Sequence, residues 1–438
     1  MALALANTLT NTALMKIILY ISSCVVLIFT LLYYIDDNIS AEWRTYQATY
    51  RDLLKSKRGQ DGKSLADSPE IGLRQIYLPE MNRVDRCVTC HVSIEDPRFA
   101  NAANPFKTHP GDYLEKHDPE KFGCTICHDG QGRAIEWDDA LAWKDDKHWE
   151  KPVLLQPYLQ ANCYRCHTDT LAQTPRYNRG KQLFETSGCL GCHQRDGKGG
   201  YLAPEVRGLG DASFELKHPV DSLRTRLLTQ FNNNRNLAYI YESVRYPLAQ
   251  PANSVMLDYG FSREKAIDLT VYLKSLTPPE PGIARLPAAR EKPLDLLAKG
   301  RKTFQLYCSA CHGPNGEGGV DNPNYIKGQI PELDLVAERM FLYDREDADV
   351  IINAIRTFGD LNAAEPEPDV PRYAAVLAQY NAIRGVILNG NPAGKLDPEG
   401  ATPFNMPSWH KSISVDEINA VVAYLISIYD FDDEEEFE

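Results

Sequence analysis

Cys87-Val-Thr-Cys90-His91, Cys124-Thr-Ile-Cys127-His128, Cys163-Tyr-Arg-Cys166-His167 and Cys189-Leu-Gly-Cys192-His193 stand within residues 87–193, and a fifth copy follows at Cys308-Ser-Ala-Cys311-His312. The pattern C-x-x-C-H is the attachment signature of a c-type haem. Its two thiols add to the two vinyl groups of the porphyrin, and the adjacent imidazole reaches the iron. Five copies consume ten of the eleven cysteines. Zinc knuckles pair two such elements and place no demand for a histidine after every second cysteine. A disulfide framework disperses its cysteines instead of repeating one local unit. The reading is therefore five covalently bound haem c groups, with His91, His128, His167, His193 and His312 as iron ligands.

At 438 residues the chain has room for several domains. A formal charge of −13 argues against nucleic acid and against an anionic membrane surface as partners. With 28 glycines and 28 prolines, the composition suits short helices joined by long loops wrapped round cofactors. In c-type cytochromes as a class, attachment takes place outside the bacterial cytoplasmic membrane, so the haem domains are expected on the periplasmic side.

Residues 1–40 read as an N-terminal membrane anchor. The uncharged run from Ile17 to Ile35 is long enough to span a hydrocarbon core as a helix. Lys16 before it and Asp36 and Asp37 after it favour a cytoplasmic N-terminus. Ile21-Ser22-Ser23-Cys24 loosely resembles a lipoprotein cleavage box, but cutting there would strand eleven apolar residues on the new terminus, so an uncleaved anchor is expected. Residues 41–80 hold a membrane-proximal helix and linker, with Trp43, Tyr46, Tyr50 and Leu53 at helical spacing. Both a membrane-interface role and packing on the haem region are open for Trp43 and Tyr46.

Residues 81–175 carry three of the five motifs and little room for a protein core, so the porphyrins must supply much of the buried apolar surface. Beyond the motif histidines this region has His109, His117 and His148, and its only methionine is Met81. Three irons need three sixth ligands, which predicts bis-histidine ligation by these three. Which serves which haem is open, and each can also be a surface residue beside Pro110, Asp118 or Trp149.

In residues 176–277, Gly180-Lys-Gln-Leu-Phe184 leads into the Cys189 motif, and the flexible Asp196–Gly200 loop follows. Met256 then precedes an amphipathic helix with Ser262 at its N-cap. This order of helix, motif, long loop, methionine and C-terminal helix resembles the class I cytochrome c domain. The resemblance implies His193 and Met256 as axial ligands, with His218 as the rival for the sixth position. A stiff, proline-rich linker spans 278–292. The pattern recurs in 293–430: Gly300 to Phe304, Cys308, a Gly313–Gly319 loop, Met406-Pro407, and a Ser414-Val-Asp-Glu417 capping box. The same resemblance implies His312 and Met406 as ligands here, with His410 a neighbour or a surface group. This copy is longer, and the excess near 345–385 reads as a surface insertion, with or without a docking role. The tail 431–438 is acidic, either solubilising or docking to a basic partner.

The expected fold is mainly α: a transmembrane helix, a loop-rich trihaem region and two class I cytochrome c helical domains. Iron held by His and Met, or by two His, has no open position and passes electrons without activating a substrate. Methionine ligation raises the potential, so electrons should run from the trihaem region to the class I domains. The single anchor, Cys124-Thr-Ile-Cys-His-Asp-Gly-Gln-Gly-Arg133, His148-Trp-Glu-Lys-Pro-Val-Leu-Leu155 and the Cys163 motif together resemble the pentahaem cytochrome subunit of alternative complex III, a quinol:electron-acceptor oxidoreductase. That similarity implies integral membrane quinol-oxidising subunits as donor partners. It implies a cytochrome c, cupredoxin or oxidase as acceptor. Two competing readings are a multihaem enzyme of the peroxidase or nitrogen-oxide reductase type, which needs one open haem, and an extracellular conduit, which the anchor disfavours.

Overall fold

A computed structural model of the chain describes residues 2–56, 70–144, 151–212, 214–249, 256–278, 280, 282–289 and 292–431. The architecture is mainly α, in two compact units, Met1–Leu155 and Gln156–Glu438.

The first unit opens with α1 (Ala2–Ile35), in which Ala13–Ile35 is long and apolar enough to cross a membrane and, among the described residues, is left unburied. After it, α2 (Glu42–Ser56) is amphipathic and buries Trp43, Gln47 and Tyr50. Of the two roles open for Trp43, packing is the one observed, because the ring is only 3% exposed. Tyr50 meets Phe99 at 5.2 Å between centroids, and Tyr46 lies between Phe106 and Trp137. The Gln47 amide donates to the carbonyls of Gly72 and Thr89, both at 2.9 Å, and so ties α2 to the turn that starts at Cys87. Strands β1 (Ile76–Leu78) and β2 (Arg83–Asp85) pair antiparallel and deliver Asp85 to the second pentapeptide. There its buried carboxylate accepts from the backbone N–H of Cys124 (2.6 Å) and Thr125 (2.8 Å) and from the Thr125 hydroxyl (2.8 Å).

The second unit contains one helix crossing built twice. Helix α3 (Pro175–Thr186) crosses α6 (Arg263–Lys274), with α4 (Asp221–Gln230) and α5 (Arg235–Arg245) between them in sequence. Helix α7 (Leu296–Tyr307) crosses α10 (Val415–Ser427) in the same way. At each crossing a glycine lets the backbones touch. A Cβ at Gly180 would fall on the Asp268 carbonyl and one at Gly300 on the Ala420 carbonyl. Four residues on, Phe184 packs on Tyr272 at 5.1 Å and Phe304 on Tyr424 at 5.6 Å. The capping box expected at Ser414 is present in both directions with Glu417.

Three features depart from the sequence reading. The third pentapeptide belongs to this unit, so the 81–175 block divides after Leu155. The reason is aromatic packing: Tyr164, inside the pentapeptide, stacks on Tyr177 of α3 at 3.3 Å, and Tyr177 meets Tyr272 of α6 at 5.5 Å. Next, the 278–292 linker is laid back along the chain. The Leu286 N–H donates to the Cys166 carbonyl (2.8 Å), the Thr168 hydroxyl donates to the Leu286 carbonyl (3.0 Å), and Ala289 N–H donates to Asp169 (2.8 Å). Finally, the 345–385 stretch is largely two helices, α8 (Arg345–Phe358) and α9 (Tyr373–Asn389). Ile351 and Ile355 of α8 and Val376 and Tyr380 of α9 are fully buried, so much of the expected surface excursion is core.

Candidate haem sites

All five pentapeptides adopt the same single helical turn. In each, the histidine N–H donates to the carbonyl of the first cysteine: 2.9 Å for His91 to Cys87, 3.0 Å for His128 to Cys124, 3.0 Å for His167 to Cys163, 2.9 Å for His193 to Cys189 and 3.0 Å for His312 to Cys308. One helical turn brings positions i, i+3 and i+4 to one face, so two thiols and an imidazole flank a common side. None of the eleven cysteines is joined in a disulfide. Among the described residues no three His, Cys, Asp or Glu side chains converge on a point, so no closed tetrahedral zinc set is present. The donor set fits a group attached through two thioethers and ligated by one imidazole.

Ring orientation sorts the histidines. A carbonyl can only accept, so an imidazole whose Nδ1 faces a carbonyl carries its proton there and keeps the Nε2 lone pair for a metal. His193 Nδ1 donates to the Pro204 carbonyl (2.7 Å) and His312 Nδ1 to the Pro331 carbonyl (3.0 Å), the same arrangement in both halves of the second unit. His91 donates likewise to the Pro105 carbonyl. Burial holds His91, His128, His193 and His312 below the usual imidazole range, which favours the neutral, ligating form.

The other histidines divide. Nδ1 of His109 donates to the Pro110 carbonyl (3.0 Å) and that of His117 to the Tyr113 carbonyl (3.1 Å). His109 also stands opposite His128, with ring centroids 6.2 Å apart and planes at 85°. His117 packs on Phe122. His148 lies outside the described residues. The Nδ1 of His218 accepts from the Val220 N–H (3.1 Å), which puts the ring proton on Nε2 and makes His218 a poor rival to Met256. Exposed His410 is paired with the Ser408 hydroxyl at 2.6 Å.

Met406 is fixed on both sides. It exchanges backbone hydrogen bonds with Asn391 (3.0 and 3.1 Å), while the Asn322 amide grips Phe404 at both N–H and carbonyl. Asn322 sits on the loop that leaves His312, so His312 and Met406 share one loop cluster. Met256 stands three residues before Tyr259, whose hydroxyl donates to the Ser187 carbonyl (3.1 Å) just ahead of Cys189. The sequence reading passed over Met340. It is fully buried beside Ala337 and Leu342, a core position whose only signal was the apolar run around it.

Sequence reasoning also missed how the turns pair. The Cys124 thiol is pushed up chiefly by a hydrogen bond with Cys87. A second such contact joins Cys192 and Cys311, raising Cys311 as donor and lowering Cys192 as acceptor. At this second pair the backbones nearly touch. A Cβ at Gly188 would lie 2.5 Å from the Ala310 nitrogen, one at Gly191 would lie 2.9 Å from the Tyr307 carbonyl oxygen, and Gly199 N–H donates to Ser412 (2.9 Å). Small residues at 188 and 191 were the available clue.

Residues 177–277 match the family model of cytochrome c, and residues 295–425 match a second model of the same kind. The second unit thus contains two cytochrome c domains, and the chain that carries them is a c-type cytochrome. The model matched at 295–425 is that of cytochrome c oxidase, cbb3-type, subunit III. No curated protein and no solved structure matches the chain.

Proposed function

We propose that the chain is a membrane-anchored pentahaem cytochrome that relays electrons from a quinol-oxidising membrane complex to a periplasmic acceptor or terminal oxidase. In this reading it is a subunit of an assembly like alternative complex III. The observation that carries the reading is the fivefold recurrence of one turn, with its histidine N–H closed on the first cysteine carbonyl. Haem, when bound, supplies a one-electron couple. The protein's own part would be to hold each iron: the motif histidines at every site, with Met256 and Met406 in the cytochrome c domains and further histidines in the N-terminal region. Contacts between Cys87 and Cys124 and between Cys192 and Cys311 support the relay, since they set neighbouring attachment turns edge to edge. The exposed stretch Ala13–Ile35 of α1 supports the anchor, because so long an apolar surface requires a bilayer or partner helices to cover it.

The test is purification from solubilised membranes without a tag on any partner. Expected are five haems per chain by pyridine haemochrome assay, retention in the membrane pellet after carbonate washing, co-purifying integral membrane subunits, and wholly low-spin ferric spectra. A high-spin ferric haem in the intact protein, or full release by carbonate, would overturn the relay or the anchor respectively.

A further inference from the structure

We propose that His109 is the sixth ligand of the iron carried at His128, with the two imidazole planes crossed. This rests on reading the Cys124 turn as a haem attachment site. Two trans imidazoles, each bonded at about 2 Å to one metal, have ring centroids roughly 6 Å apart. His109 and His128 stand at 6.2 Å, with planes at 85°. The Nδ1 of His109 is committed to the Pro110 carbonyl, which leaves Nε2 as the ligating nitrogen.

The loop that carries His109 is anchored elsewhere. His109 N–H donates to the Ile94 carbonyl (2.8 Å), the Thr108 hydroxyl donates to the Asp96 carbonyl, and the Ser93 hydroxyl donates to the Phe106 carbonyl (2.6 Å). Residues 93–96 directly follow the first pentapeptide. At its other end the same loop offers the Pro105 carbonyl to the ring of His91. A six-residue loop, 105–110, therefore orients the first motif's histidine with one end and reaches the second motif's histidine with the other. With Cys87 against Cys124, that loop spans two adjacent attachment turns.

Crossed imidazole planes leave the two iron d orbitals that interact with the ligand π systems close in energy. Parallel planes split them. The ferric centre at His128 accordingly gives a strongly anisotropic low-spin EPR signal with one dominant feature at high g. The experiment uses the full-length holoprotein in detergent with variants His109→Ala, His109→Met and His117→Ala. The readouts are low-temperature EPR, visible spectra and haem per chain. His109→Ala should lose the anisotropic signal and gain one high-spin ferric haem per chain, restored to low spin by added imidazole. His109→Met should stay low-spin, gain a sulfur-to-iron band, and show one centre at raised potential. His117→Ala should leave the anisotropic signal in place. If both His109 variants keep the wild-type signals, or if His117→Ala removes the anisotropic one, the assignment is overturned. Haem content separates this from the relay reading: five haems with unchanged spectra defeats only the ligand. A count unaltered by Cys124→Ala with Cys127→Ala defeats the attachment site beneath it.

Discussion

Gly300→Ala should loosen the second cytochrome c domain, while the same exchange at Gly385 should tighten it. In an unhindered helix alanine is better than glycine by about 1 kcal/mol. At Gly300 the new methyl would coincide with the Ala420 carbonyl oxygen and stand 2.8 Å from the Tyr424 Cβ, both on the partner helix. Helices α7 and α10 must then part, at an overpacking cost of roughly 1–3 kcal/mol. The Phe304–Tyr424 contact, with Phe304 fully buried, adds about 0.5–1 kcal/mol when it opens. After the propensity gain the net loss is about 0.5–3 kcal/mol. Gly385, in the middle of α9, has nothing within 4 Å of its added Cβ, so only the propensity gain of about 0.5–1 kcal/mol remains. Hydrogen exchange of the full-length holoprotein, resolved by peptide, reads both. Amides of α7 and α10 should exchange about 2- to 140-fold faster in Gly300→Ala, and those of α9 a few-fold slower in Gly385→Ala, at tenfold per 1.4 kcal/mol. Undiminished protection of α7 and α10 in Gly300→Ala would refute the backbone-contact argument.

Two further outcomes follow from carboxylates, one buried at Asp85 and one half-buried at Asp360. Asp85→Asn trades a three-donor acceptor for an amide that must turn its NH2 towards at least one donor, at a cost of about 1–3 kcal/mol; haem incorporation at Cys124, measured by mass spectrometry of the haem peptide, should fall while that at Cys308 stays constant. At Asp360, burial acts to raise the carboxyl, but hydrogen bonds from Asn362 and the 2.9 Å pair with Arg384 outweigh it and hold it below the usual range. Its contribution, about 1 kcal/mol or less, is complete above the unfolded value near 4 and lost as pH falls through the lower folded value. Protection of α9 should therefore drop below about pH 4 in the native chain, and Asp360→Asn should remove that pH dependence.

What could be read from the chain was local. The five pentapeptides, the α2 stripe of Trp43 and Tyr50, the Ser262 cap and the Ser414–Glu417 box are each set within one or two turns, and each forms as its spacing implies. The α8 core was legible too: Ala348, Ile351, Ile352 and Ile355 fall on one helical face, though the proline-rich run at 363–371 drew attention to the surface. Long-range pairings were not legible. That the third turn packs with α3 and α6 depends on Tyr164 meeting Tyr177, and that the fourth meets the fifth depends on Gly188 and Gly191 fitting against Ala310 and Tyr307. Such fits are questions of shape between distant segments, and periodicity does not encode them.

The glycine seam between the fourth and fifth turns has a consequence for biogenesis. Once Gly188 and Gly191 lie on the opposing main chain, the Cys192 and Cys311 sulfurs face each other across the seam. We expect both porphyrins to be stitched on before the seam closes, so that closure marks the end of manufacture.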